Sequence, residues 1–243
     1  MSLLATYLQD LRTIRRIGAG VPETSYYTPL VNLFNSVGKT LKPKVYCVNH
    51  LGNTGAGIPE AGFFTASQIQ RGTGTVQPNA KPSRGTLEVK PFDTDIDRLQ
   101  ASEQVRRYLS HYNQLLITNF REFRLLALED GNIRKVEDYK LAASTDALFH
   151  PSVIKDHQSL FPDFLERVLR RQSSITDPRD LAWFLASYAR ETRARAETHS
   201  LRSFATIKKA LEESLGLQFE GEKGEHFFRS TLVQTLFYGI FSA

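Results

Sequence analysis

Two glutamates and one lysine are the residues of this chain whose types and spacing are best suited to chemistry. Glu60 lies in a glycine-rich stretch, and Glu88 and Lys90 lie close together in a short segment with the pattern of a β-strand. Carboxylates suit Mg²⁺, a bound cation polarises a phosphate and acidifies a water, and a lysine neutralises charge or orients that water. The three residues together predict metal-dependent phosphodiester hydrolysis. The alternative is a solvated strand face whose charges have no common role.

The segment around Glu88 is expected to present two different faces, because side chains alternate along a strand. Leu87 and Val89 then point into a core. Thr86, Glu88 and Lys90 point together to the opposite side. A Glu-x-Lys triplet alone is weak evidence, since such triplets are common on charged strands. Its coupling to an upstream proline–glutamate pair is what favours a nuclease site.

A helix predicted over about 95–113 adds two polar residues to the same region. Gln104 and Tyr108 are four residues apart, so they share one helix face and can both reach the edge of the sheet. The alternative for them is a partly buried polar pair on an amphipathic helix. Arg106 and Arg107 are either phosphate contacts or solvated charges, and the pattern leaves both open.

The elements that must position these residues alternate between helices and strands up to about residue 141. Apolar spacing predicts helices over 3–16 and 26–41. Strands are predicted over 45–51, 58–65 (with Glu60 at its start), the Glu88 segment, 115–118, 123–128 and 133–139. A glycine-rich turn is expected at 52–57, and residues 70–84 have the composition of an exposed loop. His50, beside that turn, is expected to be a surface or partly buried histidine rather than a catalyst.

Beyond about residue 142 the pattern becomes purely helical. Helices are predicted over 157–173, 177–198, 200–215 and 224–242, and Asp177 is expected to cap the second of these. We therefore expect two domains: an α/β domain over 1–141 and a helical domain over 142–243.

Composition limits the class of protein further. An apolar share of 41% and a charged share of 23% are typical of a soluble globular chain, and the net charge of +5 is compatible with nucleic acid. The single cysteine, Cys47, excludes an intrachain disulfide and a cysteine-rich zinc site, and it suits a reducing cytoplasm. The N-terminus lacks the pattern of a signal peptide, and no apolar run is long enough to span a bilayer.

The helical half carries an excess of basic residues. Between Arg167 and Lys209 ten lysines and arginines stand against four acidic residues. This excess predicts a track for a DNA backbone, but charge runs on helices are equally often solvated faces, and both interpretations stay open.

Taken in order, the motifs Pro59-Glu60, Glu88-x-Lys90 and Gln104-x-x-x-Tyr108 resemble the PD-(D/E)xK nuclease superfamily, with the QxxxY helix of its RecB-like branch. Residues 23–30, 59–64 and 116–121 resemble the N-terminal region of large single-chain restriction–modification enzymes of the type IIG kind. The resemblance covers about residues 20–141, and residues 227–236 more loosely resemble the connector of those enzymes. The chain departs from the superfamily in having glutamate at position 60, where aspartate is usual.

The resemblance implies a fold, a cofactor and roles for individual residues. The implied fold is an α/β restriction-endonuclease-like domain, with a central mixed sheet flanked by helices, followed by an all-α connector. Glu60 and Glu88 would bind Mg²⁺ or Mn²⁺, Lys90 would position or activate the attacking water, and Gln104 and Tyr108 would support Lys90 or hold the phosphate. Glu23 would supply a further carboxylate, or is simply a first-turn glutamate favoured by the helix dipole.

The resemblance also implies a longer polypeptide that acts on double-stranded DNA. Its further parts would be an N6-adenine methyltransferase domain, which uses S-adenosylmethionine and packs on residues 226–243, and a specificity domain. The chain itself contains neither an Asn-Pro-Pro-Tyr-like motif nor a P-loop. Two alternatives remain: a repair or recombination nuclease of the same superfamily, and a catalytically inactive nuclease fold that binds DNA or serves as a spacer.

Overall fold

The computed structural model describes residues 1–18, 23–49, 51, 56–171, 178–198 and 204–242. Three sequence-based expectations concern residues outside these ranges: His50, most of the glycine turn at 52–57, and the Asp177 cap. The chain divides into two compact units, Met1–Ser173 and Ser174–Ala243.

The first unit is built around a six-stranded mixed sheet whose strands follow one another in chain order. The strands are β1 (Val45–Asn49), β2 (Ala61–Thr65), β3 (Thr86–Val89), β4 (Gln114–Thr118), β5 (Glu122–Glu129) and β6 (Asn132–Lys140). The helices are α1 (Leu3–Ile17), α2 (Tyr27–Gly38), α3 (Ile96–Gln100), α4 (Glu103–Tyr112), α5 (Thr145–Leu148), α6 (Pro151–His157) and α7 (Leu160–Arg170). Short 3-10 helices span Glu23–Tyr26 and Ala66–Gln68. Among the strands of the described residues only β3 and β4 pair in parallel, because helices α3 and α4 carry the chain between them.

Helices cover both faces of this sheet. On one face α1, α2 and α7 pack with Leu87 and Val89 of β3 in a large apolar core. On the other face α3 and α4 pack against β4 and β5 in a smaller core that contains Leu115 and Ile117. The α/β architecture expected from the sequence is therefore present, with the six strands close to their predicted positions.

The side chains of β3 alternate between two faces as predicted, but the residues on both faces are buried. Leu87 and Val89 point into the large core, and Thr86 and Glu88 are respectively 0% and 1% exposed on the side of α4. The interpretation of this segment as a solvated strand face is therefore wrong. A carboxylate that is almost completely buried must be compensated by specific partners.

The helix predicted over 95–113 is in fact two helices. Asp95 caps α3 by accepting from the backbone N–H groups of Asp97 and Arg98. Ser102 caps α4 by accepting from the backbone N–H of Val105. Serine and aspartate side chains compete well for backbone donors, so a serine inside an apparently continuous helical pattern starts a new helix.

The first compact unit extends to Ser173, about thirty residues beyond the boundary expected at 141/142. Helices α5 to α7 complete the large core rather than beginning a separate domain. Phe161 of α7 is fully buried, and its ring centroid lies 5.1 Å from that of Phe123 and 5.3 Å from that of Tyr139. The change from strands to helices marks the end of the sheet, not the end of the unit.

The second unit consists of helices α8 (Pro178–Thr198), α9 (Phe204–Leu215) and α10 (Gly221–Ser242), as the helical pattern predicted. Phe228 of α10 is fully buried and contacts Phe204 and Phe219, with ring centroids 6.1 and 5.6 Å away. Phe227 and Leu236 on the same helix are about half exposed. None of the helices in the described ranges combines the length and apolar character needed to cross a membrane.

Many of the basic residues between 167 and 209 are paired with acidic side chains in the structure. Arg167, 2% exposed, pairs with Glu137, and Arg170 pairs with Glu166. Both arginines belong to the first unit. In the second unit the ion pairs of the basic residues in this range include Arg193–Glu197, Arg195–Glu191, Lys208–Glu225 and Lys209–Glu213. The acidic partners Glu137, Glu166, Glu213 and Glu225 lie outside residues 167–209. The charge difference over that range therefore did not include them.

Candidate active site

Glu60 and Glu88 come close together where β2 begins beside β3. The antiparallel register pairs Gly62 with Thr86 and Ala61 with Leu87, and Glu60 is the residue just before Ala61. Its negative charge is near enough to Glu88 to raise the pKa of that carboxyl. Glu60 directly precedes β2, one residue outside the strand that the sequence predicted to contain it.

Glu88 is held through only one of its two carboxylate oxygens. Lys90 Nζ lies 2.7 Å from Oε1, and Gln104 Nε2 donates to the same oxygen at 2.9 Å. The second oxygen, Oε2, is buried and has no hydrogen-bond partner within the described part of the chain. A buried carboxylate oxygen with an unused lone pair is the donor that a bound cation would satisfy.

The pKa of Glu88 is raised above its usual value, chiefly because burial penalises the charged form. The negative charge of Glu60 raises it further, whereas the hydrogen bond and charge of Lys90 and the hydrogen bond from Gln104 lower it. A positive charge placed near both carboxylates would favour the ionised form of Glu88 and so lower its pKa, against the effects of burial and of Glu60.

Lys90 continues β3 beyond its last residue. Its backbone N–H donates to the carbonyl of Thr118 at 2.9 Å, which extends the parallel pairing with β4 and fixes the direction of the side chain. The side chain is 28% exposed, so the ammonium group reaches from the buried Glu88 carboxylate towards solvent.

Helix α4 joins the two candidate ligand segments. Gln104 Nε2 donates to Glu88 and lies 3.2 Å from the Tyr108 hydroxyl, which in turn donates to the carbonyl of Ile58 at 3.0 Å. The expected sharing of one helix face by Gln104 and Tyr108 is confirmed. Their side chains support Glu88 and the segment before Glu60.

The two arginines of α4 differ in their surroundings. Arg107 Nε donates to the carbonyl of Ala56 at 2.8 Å, and its guanidinium lies 5.8 Å from the centroid of the Tyr108 ring. Arg106 Nη1 reaches the carbonyl of Gly131 at 3.5 Å, away from the site. The contact of Arg107 was not expected from the sequence, although its spacing from Gln104, three residues, places both on one helix face.

Glu23 begins the 3-10 helix that precedes α2. Only its backbone is among the described features, so its expected role as a further ligand stays a prediction.

The residues present fit a hard divalent cation held by few protein ligands. No cluster of three or more histidine, cysteine, aspartate or glutamate side chains suited to a metal occurs within the described ranges. Two carboxylates, one with a buried oxygen lacking a partner, match the habit of Mg²⁺ of keeping several waters and adding phosphate oxygens to one or two protein carboxylates. The same set lacks the thiolates and imidazoles that softer metals prefer.

Thr86 is a neighbour of the candidate site for which the sequence suggested no chemical role. It lies on the same face of β3 as Glu88, is fully buried, and its hydroxyl oxygen also lacks a hydrogen-bond partner among the described residues. The alternation of the strand was the signal that placed it there.

Comparison with known proteins adds little to this picture. No family model matches the sequence, and no curated protein matches it. Among solved structures, the cryo-EM structure of a DrdV–DNA complex matches with a TM-score of 0.43 and 16% identity, over 98% of this chain. The match covers 21% of that other chain, so this chain spans about a fifth of its length. A likeness at this score says nothing further about the chemistry of the present chain.

Proposed function

We propose that the first unit is a Mg²⁺-dependent deoxyribonuclease that hydrolyses phosphodiester bonds in double-stranded DNA. The observation that carries the proposal is the state of Glu88: one oxygen is fixed by Lys90 and Gln104, and the other is buried without a hydrogen-bond partner among the described residues. The charge of Glu60 is close enough to raise the pKa of this carboxyl. Burying a carboxylate with one unsatisfied oxygen costs folding free energy, and groups of this kind cluster at functional sites.

In this proposal each residue has a defined part. Glu60 and Glu88 hold the cation, which when bound would stabilise charge on the phosphate and lower the pKa of a water. Lys90, whose ammonium lies 2.7 Å from Glu88, orients the attacking water or neutralises the developing charge. Gln104 keeps Glu88 in one rotamer, and Tyr108 anchors the backbone in front of Glu60.

We further propose that this unit is the cleavage module of a fused restriction–modification enzyme. What supports this finer assignment is the resemblance of residues 20–141 to the N-terminal region of such enzymes. The methyltransferase, its S-adenosylmethionine and the specificity domain would then belong to other parts of the polypeptide.

The test is nicking of supercoiled plasmid DNA by the purified chain, with Mg²⁺, with Mn²⁺ and with EDTA. Glu88→Gln and Lys90→Ala should each lower the rate by more than about a hundredfold, because loss of an outer-shell partner alone usually costs 10–100-fold. Glu103→Gln is the matched control, since Glu103 is exposed on the neighbouring helix.

Cation binding is measured separately by calorimetric titration with Mn²⁺. The Glu60→Gln, Glu88→Gln double variant should lose the binding that the unaltered chain shows. Retained cleavage by Lys90→Ala, or cation binding that survives the double substitution, would overturn the proposed site. Absence of metal-dependent cleavage by the unaltered chain would favour an inactive nuclease fold.

A further inference from the structure

The face of α4 that holds Glu88 also holds the backbone in front of Glu60. We infer that Arg107 is a positioning residue for the candidate site: its guanidinium anchors the backbone at Ala56 and so sets where the Glu60 carboxylate lies relative to Glu88. This inference rests on the proposed function, because it assigns Arg107 to the same cation site.

One face of α4 carries three polar side chains that reach both candidate ligand segments. Gln104, Arg107 and Tyr108 stand at positions i, i+3 and i+4, so their side chains leave α4 in neighbouring directions. Gln104 contacts Glu88, whereas Arg107 and Tyr108 donate to the carbonyls of Ala56 and Ile58 at 2.8 and 3.0 Å. One rigid element therefore holds both segments that carry the candidate ligands.

The anchored backbone packs closely against α4. Gly57, between the two anchored carbonyls, has φ +95°, a conformation that glycine adopts without strain. A Cβ at this position would lie 3.3 Å from Cε1 of Tyr108 and 3.5 Å from Nη2 of Arg107. The backbone thus lies directly against the two side chains that anchor it.

The anchor at Ala56 lies four residues before Glu60 in the chain. Strand β2 begins at Ala61, so Glu60 stands between a segment fixed by α4 and a strand fixed by the sheet. If the anchor at Ala56 is lost, the segment before Glu60 loses one of the two contacts with α4 that position it and becomes more mobile, while Glu88 stays in β3. With only two described carboxylates available to the cation, its affinity depends strongly on the separation between them.

A direct phosphate contact is the competing role for Arg107, because the residue is exposed. The two roles differ in what they predict for DNA binding. Loss of one phosphate contact lowers the slope of log K against log salt by about 0.9. Loss of a backbone anchor leaves that slope unchanged and alters the cation site instead.

The experiment compares Arg107→Met and Arg107→Lys with Arg106→Met, a control one residue away whose contact lies at Gly131. Three measurements are made on the full chain: hydrogen exchange of the peptide spanning 56–60 without metal, Mn²⁺ affinity by calorimetry, and DNA affinity against salt in EDTA. Arg107→Met should speed exchange over 56–60 and weaken Mn²⁺ binding about 10–100-fold, with an unchanged salt slope. Arg107→Lys should restore part of both, since an ammonium can still donate to the Ala56 carbonyl.

Unchanged exchange over 56–60 in Arg107→Met would overturn the inference and leave the proposed function standing. A salt slope reduced by about one, with normal Mn²⁺ affinity, would overturn it in favour of a phosphate contact. An unaltered chain that binds no Mn²⁺ would instead overturn the proposed function, and with it the role of Arg107 at a cation site.

Discussion

The side-chain amide of Gln104, on α4, donates a 2.9 Å hydrogen bond to Oε1 of Glu88, on β3. Glu88 is 1% exposed, so this bond and the contact with Lys90 provide its polar surroundings on that oxygen. Because a buried hydrogen bond to a charged group contributes about 1.5–3 kcal/mol, the bond both lowers the cost of the charge and selects one rotamer. The other oxygen is thereby turned to a fixed direction.

Replacing Gln104 by methionine tests this relationship. The variant keeps the length and helix propensity of the side chain but removes its donor, so the Glu88 carboxylate loses one of the groups that lower its pKa. We expect Mn²⁺ affinity and cleavage to fall about 10–100-fold, as for other outer-shell partners. Titration calorimetry checks the first and plasmid nicking the second. Affinity equal to that of the exposed control Glu103→Gln would mean that Gln104 has only a packing role.

The raised pKa of Glu88 predicts how stability depends on pH. The folded chain holds this proton more tightly than the unfolded chain, whose glutamate titrates near the ordinary value of 4.5. The associated stability is therefore fully present below pH 4.5 and is lost as the pH rises through the higher folded pKa. At pH 7 Glu88→Gln should raise the melting temperature of the first unit by a few degrees, about 2–4 °C per kcal/mol.

Two controls accompany the pH prediction. Below about pH 4 the Glu88→Gln and unaltered chains should melt at nearly the same temperature, because both then carry a neutral group at this position. Mg²⁺ should raise the melting temperature of the unaltered chain at pH 7 and not that of Glu88→Gln, since only the former binds it. A Glu88→Gln chain less stable than the unaltered one at pH 7 would contradict the assigned direction of the pKa.

Val89 provides the contrast to Glu88 on the opposite face of β3. It is 2% exposed and packs in the large apolar core, whose described members are hydrophobic residues. Val89→Asp should therefore cost several kcal/mol, enough to leave much of the chain unfolded or aggregated. Circular dichroism melting and gel filtration measure this, with Val89→Ala as the control for lost volume alone. A soluble Val89→Asp chain that melts normally would show that the two faces of β3 are reversed.

Much of the architecture was predictable because local patterns dominate it. The alternation around Glu88 and the apolar spacing of α1 follow from how strands and helices bury one side. The depth of burial of Glu88 could not be predicted, since it depends on α4 packing across the sheet, a contact between segments distant in sequence. The contact from Arg107 to Ala56 could not be predicted for the same reason. The spacing of the motif places the arginine on the correct helix face but does not indicate which residue it contacts.

The boundary between the two units illustrates the same limit and gives the last prediction. A chain truncated after residue 141 would lose α7, whose Phe161 and Phe164 are fully buried against the rings of Phe123 and Tyr139. Loss of this much apolar burial should leave the fragment 1–141 aggregated or without a cooperative melting transition, because each such side chain contributes about 1.5–3 kcal/mol. The fragment 1–173 should instead be monomeric and melt cooperatively, as expected for the compact unit Met1–Ser173. Gel filtration and thermal melting of the two fragments decide the matter. If 1–141 melts as cooperatively and at as high a temperature as 1–173, helices α5 to α7 do not belong to the core of the first unit, and the earlier boundary is the correct one.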